Sequence, residues 1–360
     1  MTKTNSLGIY VHIPFCIRKC KYCDFVSFAG KTREFQEDYV NSLLLEIKEK
    51  AALYKDRYVV DTIFFGGGTP TCLPAEDLIK ILGTIKSSLN VNATEISFEA
   101  NPGTISKEKL EKLKEAGFNR VSIGVQSFDD EVLLALGRIH DSEEASKAVK
   151  MALETGFNTN LDLMLGVPGQ SLESFKNSLK KAIGLGVNHI SFYSLQLEEG
   201  TPLYEEYRYG DLVLPTWEEN RQMYHAAIEM LNDAGYIHYE ISNAAKPGFE
   251  CKHNIKYWSM DEYLGFGLSA HSYIDGKRTG EEIGDPKGDF IFTRLRMIQG
   301  FEKSEYEKRF GISFDEEFGE VYTKLLSDDL LCESEGRVKF TKKGLDFTNP
   351  VMSELLSALD

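Results

Sequence analysis

Strand-like apolar runs alternate with amphipathic helical patterns through the first two hundred residues of the chain. Six such runs predict strands, and helical patterns of ten or more residues stand between most of them. Strands joined by helical crossovers pair in parallel, so this alternation predicts an α/β fold, a partial TIM-like barrel of six βα units. Its chemistry is expected at the carboxyl ends of the strands. The predicted strands are residues 7–13, 59–65, 95–99, 120–125, 158–165 and 189–195, and the helical stretches between them are residues 34–54, 75–89, 107–116, 131–155 and 172–184.

Three cysteines follow the first predicted strand. Cys16, Cys20 and Cys23 are spaced by three and then two residues, and Pro14 interrupts ladder hydrogen bonding before them, so the thiols are expected on a loop. Three thiolates suit a soft metal and leave one coordination position open. A structural zinc with His12 as its fourth ligand is the alternative, although zinc motifs usually place two ligands well downstream.

The composition limits the partners and the compartment. The chain has 56 acidic against 41 basic residues, a formal charge of -15, which disfavours nucleic acid as a partner. The sequence has no signal-peptide pattern and no apolar stretch near the roughly 18 residues of a spanning helix. Half of the six cysteines lie in one motif, which is typical of reduced thiols rather than of a disulfide framework. We expect a cytoplasmic protein, with peripheral contact at the inner face of the membrane left open.

Polar residues occur in or directly after three of the predicted strands. Glu99, Gln126 and Asp162 belong to three successive strand regions, where an unpaired polar side chain is costly. Each one alone is explained equally well by an ordinary buried hydrogen bond, but the three together indicate a shared ligand. Glycines 66–68 and Thr69 follow the second strand, where glycine lets the backbone approach a ligand and present its N–H groups. A glycine run by itself is more often a tight turn.

The CxxxCxxC motif, with Tyr22 before its last cysteine, resembles that of the radical SAM superfamily. The resemblance implies that Cys16, Cys20 and Cys23 hold a 4Fe-4S cluster whose fourth iron binds S-adenosylmethionine. For Arg138 the alternative is a solvated arginine at a helix end. The residues implied to contact S-adenosylmethionine are Tyr10, Tyr22, Gly67, Gly68, Thr69, Glu99, Gln126, Arg138 and Asp162.

Longer segments resemble the oxygen-independent coproporphyrinogen III oxidase-like family. They are YVHIPFC at the start, GVQSF in the middle, and FYSLQLEEGTP and GFGLSAHSY later. The dehydrogenases of this family have a fourth cysteine where Phe25 stands, and an N-terminal arm longer than the fifteen residues before Cys16. Both departures argue against decarboxylation.

Residues 251–258, CKHNIKYW, match the HNxxYW motif of the heme chaperones in this family, and we expect them on a loop. Imidazole is a common axial ligand of heme iron, and a phenol and an indole can flank a macrocycle. From the residues alone, His253 could instead hydrogen-bond within the loop while Tyr257 and Trp258 join the core. Cys251 is a weaker candidate ligand, and His271 is expected to be structural.

The resemblance implies a heme chaperone that binds heme through His253 and delivers it to an acceptor hemoprotein, soluble or membrane-bound. Its cofactors would be the 4Fe-4S cluster and S-adenosylmethionine. The alternative is an oxygen-independent coproporphyrinogen III dehydrogenase, a radical SAM oxidative decarboxylase. Whether the chain is an enzyme, and whether it forms a homodimer, stay open at this point.

The sequence divides into three predicted regions. Residues 1–200 form the barrel core with the cysteine loop, residues 201–288 an extension with the HNxxYW loop, and residues 289–360 a small winged-helix-like α+β domain. In the last region, helical patterns precede a hairpin at residues 330–340, and a final helix follows. This tail is not strongly basic, so we expect it to pack over the barrel mouth rather than to bind DNA.

Overall fold

A central mixed sheet organises the computed structural model of the chain, which describes residues 5–279 and 285–359. The described strands are β1 (Asn5–Ile13), β2 (Phe15–Cys16), β3 (Phe28–Ala29), β4 (Tyr58–Gly67), β5 (Val91–Ala100), β6 (Arg120–Gln126), β7 (Asn158–Leu165), β8 (His189–Ser194), β9 (Ile237–Glu240), β10 (Asn243–Ala245), β11 (Tyr263–Phe266), β12 (Ser272–Ile274), β13 (Lys277–Thr279), β14 (Phe301–Glu302), β15 (Leu331–Ser334) and β16 (Arg337–Phe340).

Helices cover the sheet and form most of the C-terminal region. The described α-helices are α1 (Arg33–Tyr54), α2 (Ala75–Ser88), α3 (Lys107–Ala116), α4 (Asp130–Ala135), α5 (Ser142–Glu154), α6 (Leu172–Leu185), α7 (Pro202–Arg208), α8 (Trp217–Asp233), α9 (Lys252–Ser259), α10 (Pro286–Arg294), α11 (Lys303–Phe310), α12 (Phe314–Ser327) and α13 (Thr348–Leu356). In the described part of the chain, no helix combines the length and the apolar character needed to cross a bilayer.

The six predicted strands lie side by side in chain order. The sheet runs β13-β12-β11-β1-β4-β5-β6-β7-β8-β10-β9, and the strands from β1 to β8 in this order are parallel. The predicted α/β architecture of six βα units is therefore confirmed. The strand-like pattern at residues 236–242 contains β9. The sequence did not predict β11, which pairs in parallel with β1, or the antiparallel strands β10, β12 and β13.

The core lies between the sheet and the helices around it. Helix α1 begins after Thr32, whose hydroxyl accepts the Phe35 N–H, and it buries Val40, Leu43 and Ile47 against the sheet. Each fully buried aliphatic side chain of this kind stabilises the fold by about 1.5–3 kcal/mol relative to exposure. The outer helices thus hold the parallel strands so that their carboxyl ends meet at one edge.

The helical stretch predicted at residues 131–155 is two helices rather than one. Helix α4 ends at Ala135, and Gly137 takes a left-handed conformation with φ 72° that ends the helical path. Asp141 then starts α5 with a capping box completed by Glu144. The break matters for the site because it places Arg138 between the two helices.

The HNxxYW segment, expected on a loop, forms helix α9. Cys251 is the residue before the helix and gives no side-chain cap. The carboxylate of Glu95, on strand β5, accepts the backbone N–H groups of Lys252 and His253 at 3.0 and 3.1 Å instead. A carboxylate at a helix N-terminus satisfies free donors and complements the helix dipole. Glu95, which is far away in the sequence, therefore caps the N-terminus of this helix.

The C-terminal region has a core of its own. Strands β14, β16 and β15 form an antiparallel sheet, and the helices α10 to α13 pack around it. The buried side chains of this core include Phe290, Tyr306 and Phe314, and they also reach Met260 and Tyr273 of the preceding region. The predicted combination of helices and a hairpin is present, and α10 borders the extension that carries α9.

Candidate functional site

The cysteine loop is closed at its base by two short strands. Phe15 and Cys16 of β2 pair in parallel with Phe28 and Ala29 of β3, and the Phe28 N–H donates to the Pro14 carbonyl at 2.7 Å. Between these strands, Lys19 Nζ donates to the Phe25 carbonyl at 3.2 Å. The loop is thus held at both ends and across its middle, and it presents its three thiols at the carboxyl end of β1.

One cavity of about 370 Å³ collects the three thiols and most of the polar residues singled out in the sequence. Burial raises the pKa values of Cys16 and Cys23, although all three thiols are partly exposed to the cavity. Bound iron would offset this effect, because metals bind the thiolate. The predicted residues that line this cavity are Cys16, Cys20, Tyr22, Cys23, Gly67, Gly68, Thr69, Glu99, Gln126, Arg138 and Asp162.

The glycine segment after β4 fixes the cysteine loop. A Cβ atom on Gly68 would lie 2.7 Å from the Phe15 carbonyl oxygen, so only glycine fits there. The N–H groups of Gly67, Gly68 and Thr69 donate to the Glu99 carboxylate and to the carbonyls of Ile13 and Phe15, respectively. Contrary to the sequence prediction, these N–H groups are therefore not free for a ligand. The carbonyl oxygens of the segment suit a donor such as an ammonium group.

Arg138 connects the cysteine loop to two strands of the sheet. Its Nη1 donates to Cys20 Sγ at 3.2 Å, and its Nη2 donates to the Asn101 side chain and to the Gly124 carbonyl. Asn101 in turn donates from Nδ2 to Thr69 Oγ1 at 2.7 Å. Arg138 is thus an anchored group beside a sulfur atom, and not the solvated arginine of the alternative interpretation.

Two carboxylates face the cavity from β5 and β7, the strands on either side of β6. Burial, with the nearby Asp162 as a second cause, raises the pKa of Glu99 to about 8. Burial also raises the pKa of Asp162, although it accepts hydrogen bonds from Asn160 Nδ2 at 2.7 Å and from Ser122 Oγ at 3.3 Å. The charge of Arg120 lowers both pKa values only as a lesser cause, and neither carboxyl group forms an ion pair within residues 5–279 or 285–359. This environment suits a cationic or hydroxyl-bearing ligand.

Gln126 is held in a strained backbone conformation at the end of β6. Its φ of 67° is rare for a residue with a side chain, and its Oε1 accepts the Tyr193 hydroxyl at 2.9 Å. Such strain is common where the surrounding structure fixes a side chain for function.

A second cavity, of about 890 Å³, adjoins the first and shares Asp24, Phe25, Gly67 and Glu99 with it. Tyr10 lines this second cavity rather than the first. Five of its side chains are aromatic residues from the C-terminal half of the chain: Tyr257, Trp258, Tyr263, Tyr273 and Phe292. The site therefore has a cysteine-lined half and an aromatic half that meet at Glu99.

Sequence models of two known families match the chain. The Radical SAM superfamily matches residues 10–182, and the HemN C-terminal domain matches residues 289–347. The heme chaperone HemW of Bacillus subtilis is 38% identical over 97% of this chain and 99% of its own length. The chain belongs to the HemW family. The HemW protein of Haemophilus influenzae is 34% identical over 99% of this chain and 100% of its own length. That of Escherichia coli is 40% identical over 85% of this chain and 78% of its own length.

A solved structure shares the whole fold. Coproporphyrinogen III oxidase, HemN, from Escherichia coli superimposes with a TM-score of 0.83 over 98% of this chain and 90% of its own, at 24% identity. This likeness confirms that the chain has the fold of HemN, from the α/β core to the C-terminal domain.

His253 of the HNxxYW motif is enclosed in the protein. It is 0% exposed, its Nδ1 lies 2.9 Å from Thr62 Oγ1, and its Nε2 lies 2.8 Å from Tyr257 Oη. It lines neither cavity, and burial, with the charges of Lys256 and Arg120 as lesser causes, lowers its pKa to about 3. The geometry does not favour the predicted direct ligation of heme by His253. It fits a residue that holds the Tyr257 phenol at the wall of the second cavity.

Three residues that contact the predicted site residues of this HemW-family chain were not predicted from the sequence: Asn101, Tyr193 and Glu95. Asn101 and Tyr193 lie within segments singled out for other residues, and their contacts with Arg138 and Gln126 depend on how the strands pair. Glu95 precedes Glu99 by four residues on β5 and faces α9 instead. The signal that could have identified Glu95 is its acidic side chain within a buried strand.

Proposed function

We propose that the chain is a heme chaperone that binds heme and transfers it to an acceptor hemoprotein, and that it carries a 4Fe-4S cluster and binds S-adenosylmethionine. The observation that carries this proposal is the full-length similarity to proteins named heme chaperone HemW, at 38% identity for the Bacillus subtilis protein. The aromatic cavity beside the thiols supports it, because flat apolar ligands are bound by such walls.

The donor set of the first cavity fits the cluster and the cofactor. Cys16, Cys20 and Cys23 would hold three irons, and the position where a fourth cysteine could stand is Phe25, whose side chain is 64% exposed. Arg138 would donate to a cluster ligand, and the carboxyl groups and glycine carbonyls would orient S-adenosylmethionine. When bound, the cluster and S-adenosylmethionine supply reductive radical chemistry.

The acceptor would meet the protein at the cysteine loop. Ile17, Phe25 and Val26 are exposed by 54%, 64% and 43%, and Phe25 and Val26 also line the aromatic cavity. Exposed apolar side chains at the rim of a cavity are typical of protein or membrane contact sites. We therefore include an acceptor at the membrane, and a homodimer through the same surface, within this proposal.

The alternative function is oxidative decarboxylation of coproporphyrinogen III. Its support is the cysteine-lined cavity in a fold that HemN shares. The amino acid at position 25 argues against it, and the 24% identity to HemN establishes likeness of fold only.

The test is an anaerobic heme titration of the reconstituted full-length chain, followed by transfer to an excess of apo-hemoprotein. Saturable growth of a Soret band and its transfer to the acceptor are expected. Bovine serum albumin replaces the chain as a nonspecific heme donor in the control. The protein is also incubated with coproporphyrinogen III, S-adenosylmethionine and dithionite. Absence of saturable heme binding together with formation of decarboxylated product would replace the proposal with the alternative.

A further inference from the structure

The aromatic cavity has the size and walls for a large flat ligand. Its volume of about 890 Å³ lies toward the upper end of the roughly 300–1,000 Å³ that ligand cavities span. Tyr257 and Tyr263 pack edge to face with ring centroids 4.6 Å apart. The guanidinium carbon of Arg296 lies 4.4 Å from the ring centroid of Trp258, a cation–π contact that holds the indole in place. These contacts fix the walls before a ligand enters, which reduces the entropy lost on binding.

Three histidines lie in or next to this cavity, and two of them are fully engaged. His12 Nδ1 lies 3.1 Å from Tyr10 Oη, and its Nε2 donates to the Val26 carbonyl at 3.0 Å. His253 is engaged by Thr62 and Tyr257, as described above. Neither ring can bind a metal ion without losing a hydrogen bond in a buried place.

His271 is different. Its side chain is exposed, it lines the cavity, and its ring forms no hydrogen bond or ion pair with any residue of 5–279 or 285–359. Its backbone position is nevertheless fixed, because the next residue, Ser272, starts β12 and its Oγ accepts the Gly265 N–H at 2.9 Å. The structure thus presents, at a rigid strand end, an imidazole without a partner among the described residues.

The same cavity contains open donors for anionic groups. Arg278 lies on β13, in register with Tyr273 of the neighbouring strand β12. Its Nη1 is 3.6 Å from Asp289 Oδ1. Its Nε is buried, and so is the Trp258 Nε1, and neither has a partner among the described residues. An unpaired buried donor is costly unless a ligand satisfies it, and an arginine fork matches a carboxylate.

We infer that His271 is the protein ligand to the iron of a bound iron porphyrin in the aromatic cavity, with Arg278 bound to a porphyrin carboxylate. The inference rests on the proposed heme-chaperone function and refines it. It also assigns a role to a residue that the sequence predicted to be structural. In this arrangement His253 is a positioning residue that acts through Tyr257.

The experiment compares wild-type, His271→Ala, His271→Gly and Arg278→Gln in the full-length, anaerobically reconstituted chain. Hemin is titrated and followed by Soret absorption, and low-temperature electron paramagnetic resonance of the ferric heme reports axial imidazole. We expect His271→Ala to weaken heme binding at least about tenfold and to remove the imidazole signature. Added imidazole should restore the signature in His271→Gly. Arg278→Gln should weaken binding and keep the signature.

His225→Ala is the matched control, because His225 pairs with Asp346 outside both cavities and its loss should leave hemin binding unchanged. Wild-type protein without saturable hemin binding would overturn the proposed function and this inference with it. Saturable binding whose affinity and imidazole signature survive in His271→Ala would overturn the inference alone. Loss of the signature in His253→Ala, with cluster content and circular dichroism intact, would assign the iron to His253 instead.

Discussion

Arg138 donates a hydrogen bond from Nη1 to Cys20 Sγ across 3.2 Å. A charged donor to a ligand sulfur stabilises the thiolate and raises the reduction potential of the metal centre. The other guanidinium donor is fixed by Asn101 and Gly124, so the geometry does not depend on a flexible side chain.

We therefore expect Arg138→Gln to load a cluster whose reduction potential is more negative than in wild-type protein. Redox titration followed by electron paramagnetic resonance measures the shift. Arg18→Gln is the control, because Arg18 is an exposed arginine that lines the same cavity. An equal shift in both variants would mean that charge alone, and not the hydrogen bond, sets the potential.

Replacing Cys16, Cys20 or Cys23 by Ala should remove the cluster absorption and most of the iron and sulfide. Each substitution removes one of the three proposed ligands, which line one cavity. Cys332→Ala is the control, since this cysteine lies on β15 in the C-terminal region. Wild-type iron and sulfide content in all three variants would refute the assignment of these ligands.

Glu99→Gln should weaken S-adenosylmethionine binding at unchanged iron content, and it should also change how stability depends on pH. The folded chain raises the pKa of Glu99 from 4.5 to about 8, so it binds a proton more tightly than the unfolded chain does. The contribution of Glu99 to the free energy of unfolding therefore falls as pH rises from about 4.5 to about 8.

In the chain without cofactors, Glu99→Gln should remove this decline. At pH 8 the variant should be more stable than wild-type protein by about 2–4 kcal/mol, as measured by urea unfolding at several pH values. Parallel pH profiles of the two proteins would show that Glu99 titrates normally.

His253→Ala should destabilise the chain by about 2–4 kcal/mol at pH 7, because it leaves Thr62 and Tyr257 without their buried partner. Burial lowers the pKa of His253 from 6.5 to about 3, so its contribution is present above pH 6.5 and is lost as pH falls toward 3. The difference between the two unfolding free energies should therefore shrink below pH 6.5. His271→Ala, an exposed change, should cost less than about 0.5 kcal/mol.

The barrel could be predicted because its strands are apolar runs that end in glycine or polar residues, as with residues 59–65 before the triple glycine. The strand β11 could not, because it has only four residues, Tyr263–Phe266, and includes a glycine. Its pairing with β1 is a tertiary contact that no local pattern records.

The cysteine half of the site could also be predicted, because it follows from the parallel arrangement of the strands. Parallel strands bring their carboxyl ends together, so Glu99, Gln126 and Asp162 were expected near the thiols, and they line the same cavity. Arg138 was found by resemblance, and its anchoring depends on a helix break at Gly137 that the periodicity did not show.

The aromatic half was harder to predict. His253 and Tyr257 are four residues apart, which is the spacing of one helical face. The Lys-Pro-Gly sequence at residues 246–248 nevertheless predicted a turn, and therefore a loop after it. The residue that starts the helix, Glu95, is more than 150 residues away in sequence. Which side of α9 is buried follows from its packing on β4, where Thr62 contacts His253.

The position of β1 between β4 and β11 has a consequence for biosynthesis. Gly8 pairs with Thr62 on one side and with Tyr263 on the other, about 250 residues later in the chain. At roughly 5–20 residues per second, a ribosome leaves the second edge of this strand open for roughly 10–50 s. The strand that leads into the cysteine loop therefore lacks one of its two neighbours while most of the chain is made. Pairing of β1 with β11 is thus a late step, which follows synthesis of Tyr263.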